Sequence, residues 1–359
     1  MKIIFITRST LYSVKGGDSM QITEMANHLN QLGVDTDVRL TNEKIDYEKY
    51  DLLHFFNITR PADILYHLKK TKKPFAVSTI LIDYSEYDKQ YRKGFAGIVL
   101  RLFSRDNIEY IKTIGRLLRG NDKLMSHSYI WKGQSKSIKK ILDNASILFP
   151  NSQMENEKLK LHYNSSADFI TVYNGINPSL FKLNTSLKKD AQLVLCVARI
   201  EGIKNQINLI KALNNSDYKL LIIGSPAPNQ LSYYNECRET AAENVVFINH
   251  ITQEELIEFY QLASVHVLPS WFETCGLSSL EAASMGCNIV ITDKGYTREY
   301  YECHAFYCDP NSPASIFNAV ERAAKAASPK VLREKILSSY TWLNAATITA
   351  KAYHKILAH

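Results

Sequence analysis

No apolar run in this 359-residue chain approaches the ~18 residues that a membrane-spanning helix needs. The apolar start formed by Ile3, Ile4, Phe5 and Ile6 is broken by Thr7 and Arg8. That is too short for the apolar core of a signal peptide, so the segment is read as a first buried strand and a cytoplasmic protein is expected. The six cysteines (Cys196, Cys237, Cys275, Cys287, Cys303, Cys308) all lie in the C-terminal half, and none forms a C-x-x-C pair. Neither a zinc site nor a disulfide framework is therefore expected. A chain-wide excess of one charge is missing as well. Residues 88–140 hold thirteen basic and four acidic side chains, a local +9 in a chain of net +7, so the remainder sums to −2. Local basicity of this kind argues against a chain-wide nucleic-acid surface, and no nucleic-acid partner is expected.

What is present is an ordinary globular composition, 45% hydrophobic and 22% charged, in a chain long enough for two domains. Strand-like runs at 2–7, 36–40, 52–56, 75–80, 145–149 and 169–172 alternate with helical patterns. One of these patterns begins at Asp18 and carries Ile22, Met25, Ala26 and Leu29 on one face. After a loop-rich stretch at 174–188 the alternation restarts, with strands at 193–197, 219–223, 245–248, 265–268, 289–292 and 305–307. Continuous apolar strands alternating with helices mean parallel sheets covered on both faces. The expectation is an α/β protein of two Rossmann-like domains, 1–180 (with the basic insert 88–140) and 190–344. Ligands in such sheets bind outside the carboxyl ends of the strands, so two facing domains are expected to create an interdomain cleft.

The segment Pro269-Ser270-Trp271-Phe272-Glu273-Thr274-Cys275-Gly276-Leu277-Ser278-Ser279-Leu280-Glu281-Ala282 carries the most chemistry. A strand stops at Pro269, and Gly276 opens a helix whose buried stripe is Leu277, Leu280 and Ala283. Glu273 falls in the strand-to-helix loop and Glu281 inside the helix. Between them the unbonded N–H groups of a helix start offer a seat for phosphate. Two carboxylates flanking such a seat suit a ligand that joins phosphates to polyhydroxyl groups, as a nucleotide sugar does. Cys275 lies in the loop without an evident general base and is read as packing.

The spacing of Glu273 and Glu281 resembles the Glu, seven residues, Glu signature of family-4 retaining glycosyltransferases. Val197-Ala198-Arg199-Ile200 with Lys204-Asn205 resembles that family's Arg and Lys pair, and Tyr173-Asn174-Gly175-Ile176-Asn177 its interdomain turn. Gly16-Gly17-Asp18 is similar to its N-terminal glycine loop, Leu221-Ile222-Ile223-Gly224 to its strand-end glycine, and Thr341-Trp342 to its late Trp. The resemblance implies the GT-B fold, with a last helix, 345–359, crossing back to the N-terminal domain. It implies a hexosyltransferase-type enzyme moving a sugar from a nucleotide diphosphate (UDP favoured, GDP second) to a saccharide or lipid-linked acceptor, with retention. Surface polysaccharide or glycolipid synthesis is the setting it implies. Arg199, Lys204 and Glu273 would be catalytic, with Glu273 on the sugar hydroxyls and Glu281 on the ribose. The amides of Thr274, Cys275, Gly276 and Leu277, with Gly16, Gly17 and Gly224, would meet the donor. Fixed cations can replace a divalent ion at a developing charge. No Asp-x-Asp stands at a strand end, so no cofactor and no metal are expected. Family members often carry a His after the fourth strand, but here residues 78–84 hold none. Asp83 and His127 are the acceptor-side candidates.

If 94–119 is one helix, Arg101, Arg105, Lys112, Arg116 and Arg119 form one stripe. Such a stripe either lies on an anionic membrane, making the protein peripheral, or is a solvated face. Two rival functions share the architecture. One is a nucleotide-sugar epimerase, and the other a non-catalytic GT-B subunit that binds a membrane or a partner.

Overall fold

The computed structural model describes residues 1–90, 103–118 and 126–358. The chain divides into two compact units, one formed by Met1–Tyr173 with Trp342–His359, the other by Asn174–Thr341. The division falls before residue 180 because the turn is bonded to the second unit. Asn174 N–H donates to Tyr300 Oη at 3.1 Å and Ile176 N–H to Tyr340 O at 3.0 Å.

In the first unit a parallel sheet runs in the order β2-β1-β3-β4-β5. Its strands are β1 Lys2–Thr7, β2 Asp35–Leu40, β3 Leu52–Phe56, β4 Phe75–Ser78 and β5 Ile147–Phe149. The helix Gly17–Gln31 buries Ile22, Met25, Ala26 and Leu29, the face its periodicity predicts. The expected strand at 169–172 is not one. It bonds alongside β5 through Leu148 N–H to Asp168 O (2.9 Å) and Ile170 N–H to Leu148 O (3.0 Å), with one bridge between Leu148 and Phe169. The intervening donor would be residue 150, a proline without an N–H, so the ladder skips that bond before Val172 N–H donates to Pro150 O at 2.9 Å. The terminal helix Trp342–Leu357 belongs to this unit. Its Tyr353 Oη bonds His54 Nδ1 on β3, and His54 Nε2 meets Ser78 Oγ on β4 at 2.9 Å. Burial lowers His54 to about 3, so the ring stays neutral and can share both bonds.

The basic insert departs from the expected stripe. The described helix there is Arg105–Leu118, and Phe103 and Ser104 before it are not helical. Arg105 reaches inward, donating to Ile82 O at 3.2 Å and lying 3.7 Å from Asp83. Lys112 is ion-paired with buried Asp88 and, at 2.9 Å, with Glu109. Asp83, ahead of the insert, and Asp88 and Glu109 within it draw these two cations off any open face. Arg101 and Arg119 lie outside the described residues, as does the side chain of Arg116.

In the second unit the parallel sheet order is β11-β10-β9-β6-β7-β8. The strands are β6 Asp190–Val197, β7 Lys219–Ile223, β8 Val245–Ile248, β9 Ala263–Leu268, β10 Asn288–Thr292 and β11 Phe306–Cys308. All six strands expected in this half are present. Val194, Cys196, Leu220, Ile222, Val265, Val267 and Val290 are fully buried, as continuous apolar strands in a two-faced sheet must be. The order reverses between β6 and β9, which are direct neighbours. Loops leaving adjacent strands in opposite directions open a crevice at such a switch point. In the first unit the reversal lies between β1 and β3, directly before the glycine loop.

Candidate functional site

β6 and β9 run in register, Val194 beside Val265 and Leu195 beside His266, so their carboxyl ends release neighbouring loops. The β6 loop carries Arg199, Glu201 and Lys204, and the β9 loop carries Ser270 to Gly276. Asn205, in the left-handed region at φ 59°, ties the two together. Its Nδ2 donates to Pro269 O at 3.1 Å and to Pro310 O at 2.7 Å. Trp271 N–H closes the seam on Ile203 O at 2.9 Å. The result is an ion pair between Lys204 Nζ and Glu273 Oε1, with side chains 19% and 8% exposed. Ser270 Oγ donates to the same Oε1 at 2.7 Å. Glu273 Oε2 has no hydrogen bond among the described residues and remains an acceptor for a ligand. Arg199 sits at the same sheet edge, one arm on Glu201 Oε1 at 2.9 Å and the side chain 39% exposed. Lys204 and Glu273 thus meet, while Arg199 pairs with Glu201.

Two glycines fix this edge by lacking a side chain. At Gly224 (φ 150°) a Cβ would lie 2.0 Å from Ala198 O, so only glycine lets the β7 end pass the Arg199 loop. At Gly295 (φ 104°) a Cβ would lie 2.0 Å from Glu273 O. The chain there is stitched to Glu273 on both sides. Glu273 N–H donates to Lys294 O at 3.1 Å, and Tyr296 N–H to Glu273 O at 2.9 Å. Gly295 therefore sets the Glu273 backbone. Its signal in the sequence was a glycine shortly after a strand, the same cue that marked Gly224.

Gly276 precedes the helix Leu277–Ser284 at φ 66°, and no side chain caps that helix. Ser279 N–H donates to Gly276 O at 2.8 Å, while the N–H groups of Leu277 and Ser278 lack intrahelical partners and, with the helix dipole, favour an anion. Tyr301 Oη donates to Cys275 O at 2.8 Å and Gly276 O at 3.3 Å, which pins the loop from behind. Thr274 and Leu277 flank this pinned turn. Cys275 is buried against Asn174 Nδ2 (3.6 Å), and burial pushes its thiol up to about 12. It stays protonated and serves as packing.

Glu281, one turn into the helix, is 8% exposed. Its Oε1 accepts from Gln253 Nε2 at 2.6 Å and its Oε2 from Tyr260 Oη at 3.0 Å. Burial raises its carboxyl to about 7, against the opposing pull of those two bonds. Sequence reasoning passed over Gln253, Tyr260 and Tyr301, which read only as residues on helix faces.

In the first unit Gly16 caps the helix Gly17–Gln31 in extended conformation. The loop before it is knotted by Arg8 at the end of β1. Arg8 Nε donates to Asp18 Oδ2 (2.7 Å), Nη1 to Thr10 O (2.7 Å) and Nη2 to Val14 O (2.7 Å). An arginine and an aspartate facing each other across a glycine pair were the missed signal. Asp83 Oδ1 accepts from Ser85 N–H at 3.0 Å. Burial opposes the Asp83 charge, but Arg105, the Ser85 bonds and Lys158 outweigh it and hold the carboxyl below its ordinary range. His127 is exposed ahead of the helix Ser128–Leu142 and shares no bond with Asp83 among the described residues.

Among the described residues no group of three or more His, Cys, Asp or Glu side chains could hold a metal ion, and no helix is long and apolar enough to cross a membrane. Residues 181–336 match the family model for glycosyl transferases group 1. An uncharacterized glycosyltransferase of Methanocaldococcus jannaschii is 25% identical, over 98% of this chain and 98% of that protein. A D-inositol 3-phosphate glycosyltransferase of Corynebacterium aurimucosum is 29% identical over 43% of this chain and 42% of its own length. Among solved structures, a sucrose-phosphate synthase from Thermosynechococcus elongatus superposes with a TM-score of 0.77 at 18% identity, covering 100% of this chain and 99% of that one. Anabaena HepE in complex with UDP-glucose superposes with a TM-score of 0.70 at 15% identity, covering 99% and 100%. These likenesses identify the architecture as GT-B.

Proposed function

We propose that this chain, a glycosyltransferase of the GT-B fold, moves a hexosyl group from a nucleotide-diphosphate donor to a hydroxyl of a saccharide or lipid-linked acceptor. The observation that carries the reading is the Lys204–Glu273 ion pair, set at the switch point beside an uncapped helix start. Lys204 is a fixed cation where the leaving diphosphate gathers negative charge, and the amides of Thr274 to Leu277 bind its oxygens. Glu273 Oε2 accepts from the sugar hydroxyls, Glu281 from the ribose. Arg199 contributes a second cation whose exposed arm reaches the phosphates. In the transfer the bond from the anomeric carbon to the phosphate oxygen breaks, and its electron pair leaves with the nucleoside diphosphate. The acceptor hydroxyl, approaching on the face of the leaving group, bonds through its oxygen to that carbon and passes its proton to the departing phosphate oxygen. We assign retention of configuration, no divalent ion, and UDP ahead of GDP. The UDP preference is supported by the Anabaena neighbour, a complex with UDP-glucose. Surface polysaccharide or glycolipid synthesis is the setting the reading favours, with acceptor chemistry in the first unit near Asp83.

A thermal-shift panel of UDP, GDP and their sugars tests the donor, because a ligand that binds only the folded state raises its melting temperature as it saturates. One nucleotide and its sugar should stand out. That donor should then release free nucleoside diphosphate in the presence of a sugar acceptor and give a product with the donor's anomeric configuration by NMR. Epimerised sugar still joined to its nucleotide, or binding without any turnover of any donor, would refute transfer.

A further inference from the structure

Both oxygens of Glu281 are held by one helix, Gln253–Leu262. Gln253 and Tyr260 lie about two turns apart on it and so share a face. An ionised carboxylate offers about four lone-pair sites, two on each oxygen. Gln253 takes one on Oε1 and Tyr260 one on Oε2, which leaves one acceptor position on each oxygen. Two such positions side by side match two adjacent hydroxyls on one sugar ring. Tyr260 is rigid enough to set that geometry. It is fully buried, its ring lies edge-on to Phe181 and to His266, each 6.2 Å between centroids, and Lys189 Nζ bonds its carbonyl at 2.8 Å. Its hydroxyl has no hydrogen-bond partner other than Glu281 among the described residues.

We propose that Tyr260 and Gln253 are positioning residues that make Glu281 a reader of a cis-diol, so that the site selects a ribonucleoside diphosphate over its 2′-deoxy counterpart. The inference rests on the nucleotide-diphosphate reading above and names the two groups on which its ribose selectivity depends. Without the Tyr260 hydroxyl Oε2 loses its tether while Gln253 still holds Oε1, and the acceptor position offered to the second hydroxyl is no longer fixed. The pocket keeps its shape, because phenylalanine fills the same volume.

The test is calorimetric binding of UDP, GDP, 2′-deoxy-UDP and 2′-deoxy-GDP to the full chain and its variants. Wild type should prefer the ribo form of its nucleotide by roughly 10-fold, the worth of one hydrogen bond to a charged group. Tyr260→Phe and Gln253→Ala should each shrink that ratio, chiefly by weakening the ribonucleotide, and Glu281→Ala should bring it near one. Adding Tyr260→Phe to Glu281→Ala should change the ratio no further, since the two act through the same contact. If Tyr260→Phe fails to fold, Gln253→Ala, near the helix start, carries the same test. Variants that weaken both forms equally, with the ratio intact, would show a merely structural role and overturn the inference while the donor reading stands. A wild type that binds none of the four nucleotides overturns the donor reading and this inference with it.

Discussion

Replacing Glu281 by glutamine should stabilise the protein above neutral pH while impairing nucleotide binding. The carboxyl is raised from 4.5 to about 7 by burial. Between those values the folded state holds a proton that the unfolded chain has released. The native state therefore binds more protons, and stability falls as pH rises through the window. Below pH 4.5 the group is protonated in both states and contributes no slope; above about 7 the loss is complete. At about 1.36 kcal/mol per pH unit, the shift corresponds to about 3 kcal/mol. Glutamine has the same shape and never ionises, so Glu281→Gln removes this penalty. It retains an acceptor for Tyr260 or Gln253, although its own N–H₂ then needs a partner. Scanning calorimetry of wild type and variant at pH 5 and pH 8 provides the assay. The variant should match wild type near pH 5 and unfold several degrees higher at pH 8, at roughly 2–4 °C per kcal/mol for a unit of this size. The same variant should bind the preferred nucleoside diphosphate about 10-fold more weakly, a gain in stability at the expense of function. Parallel pH profiles for the two proteins would refute the reasoning, because they would mean that Glu281 is no more strained by ionisation in the fold than in the open chain.

Lys204→Ala should lower turnover by roughly 100-fold, as loss of one transition-state donor does, and steady-state release of nucleoside diphosphate measures it. Transfer should persist in excess chelator, and its complete loss there would show that a divalent ion supplies the charge assigned to Lys204. Gly295→Ala should destabilise the second unit by more than about 1 kcal/mol and depress donor turnover, because its Cβ would meet Glu273 O in a left-handed backbone. Denaturant titration with a parallel activity assay separates the two effects. Tyr353→Phe should cost about 1–3 kcal/mol by stranding His54 Nδ1 in the core, with nucleotide affinity unchanged, since that bond lies in the other unit.

The alternation of strands and helices was legible because each strand is a local apolar run buried on both faces, as Val265, Val267 and Val290 show. The Gly276 turn and the helix after it were legible for the same reason, being set by neighbouring residues. The run at 169–172 looked equally like a strand, yet its ladder lacks the bond that Pro150, without an N–H, cannot donate, a constraint carried by the partner segment. Periodicity placed Arg105 and Lys112 on one stripe but could not tell an open face from an inward one. That depended on Asp83, Asp88 and Glu109 arriving beside them. The site divides along the same line. Glu273 and Lys204 were named from motifs in the chain, but their ion pair exists because β6 and β9 are neighbours at the point where strand order reverses. Tyr260 and Gln253 gave no local sign at all. Residue type and spacing determined which side chains could do this chemistry; only the packing of one helix against another decided that Glu281 would be buried, held at both oxygens and raised in pKa, because desolvation and hydrogen-bond geometry depend on what surrounds a group in space.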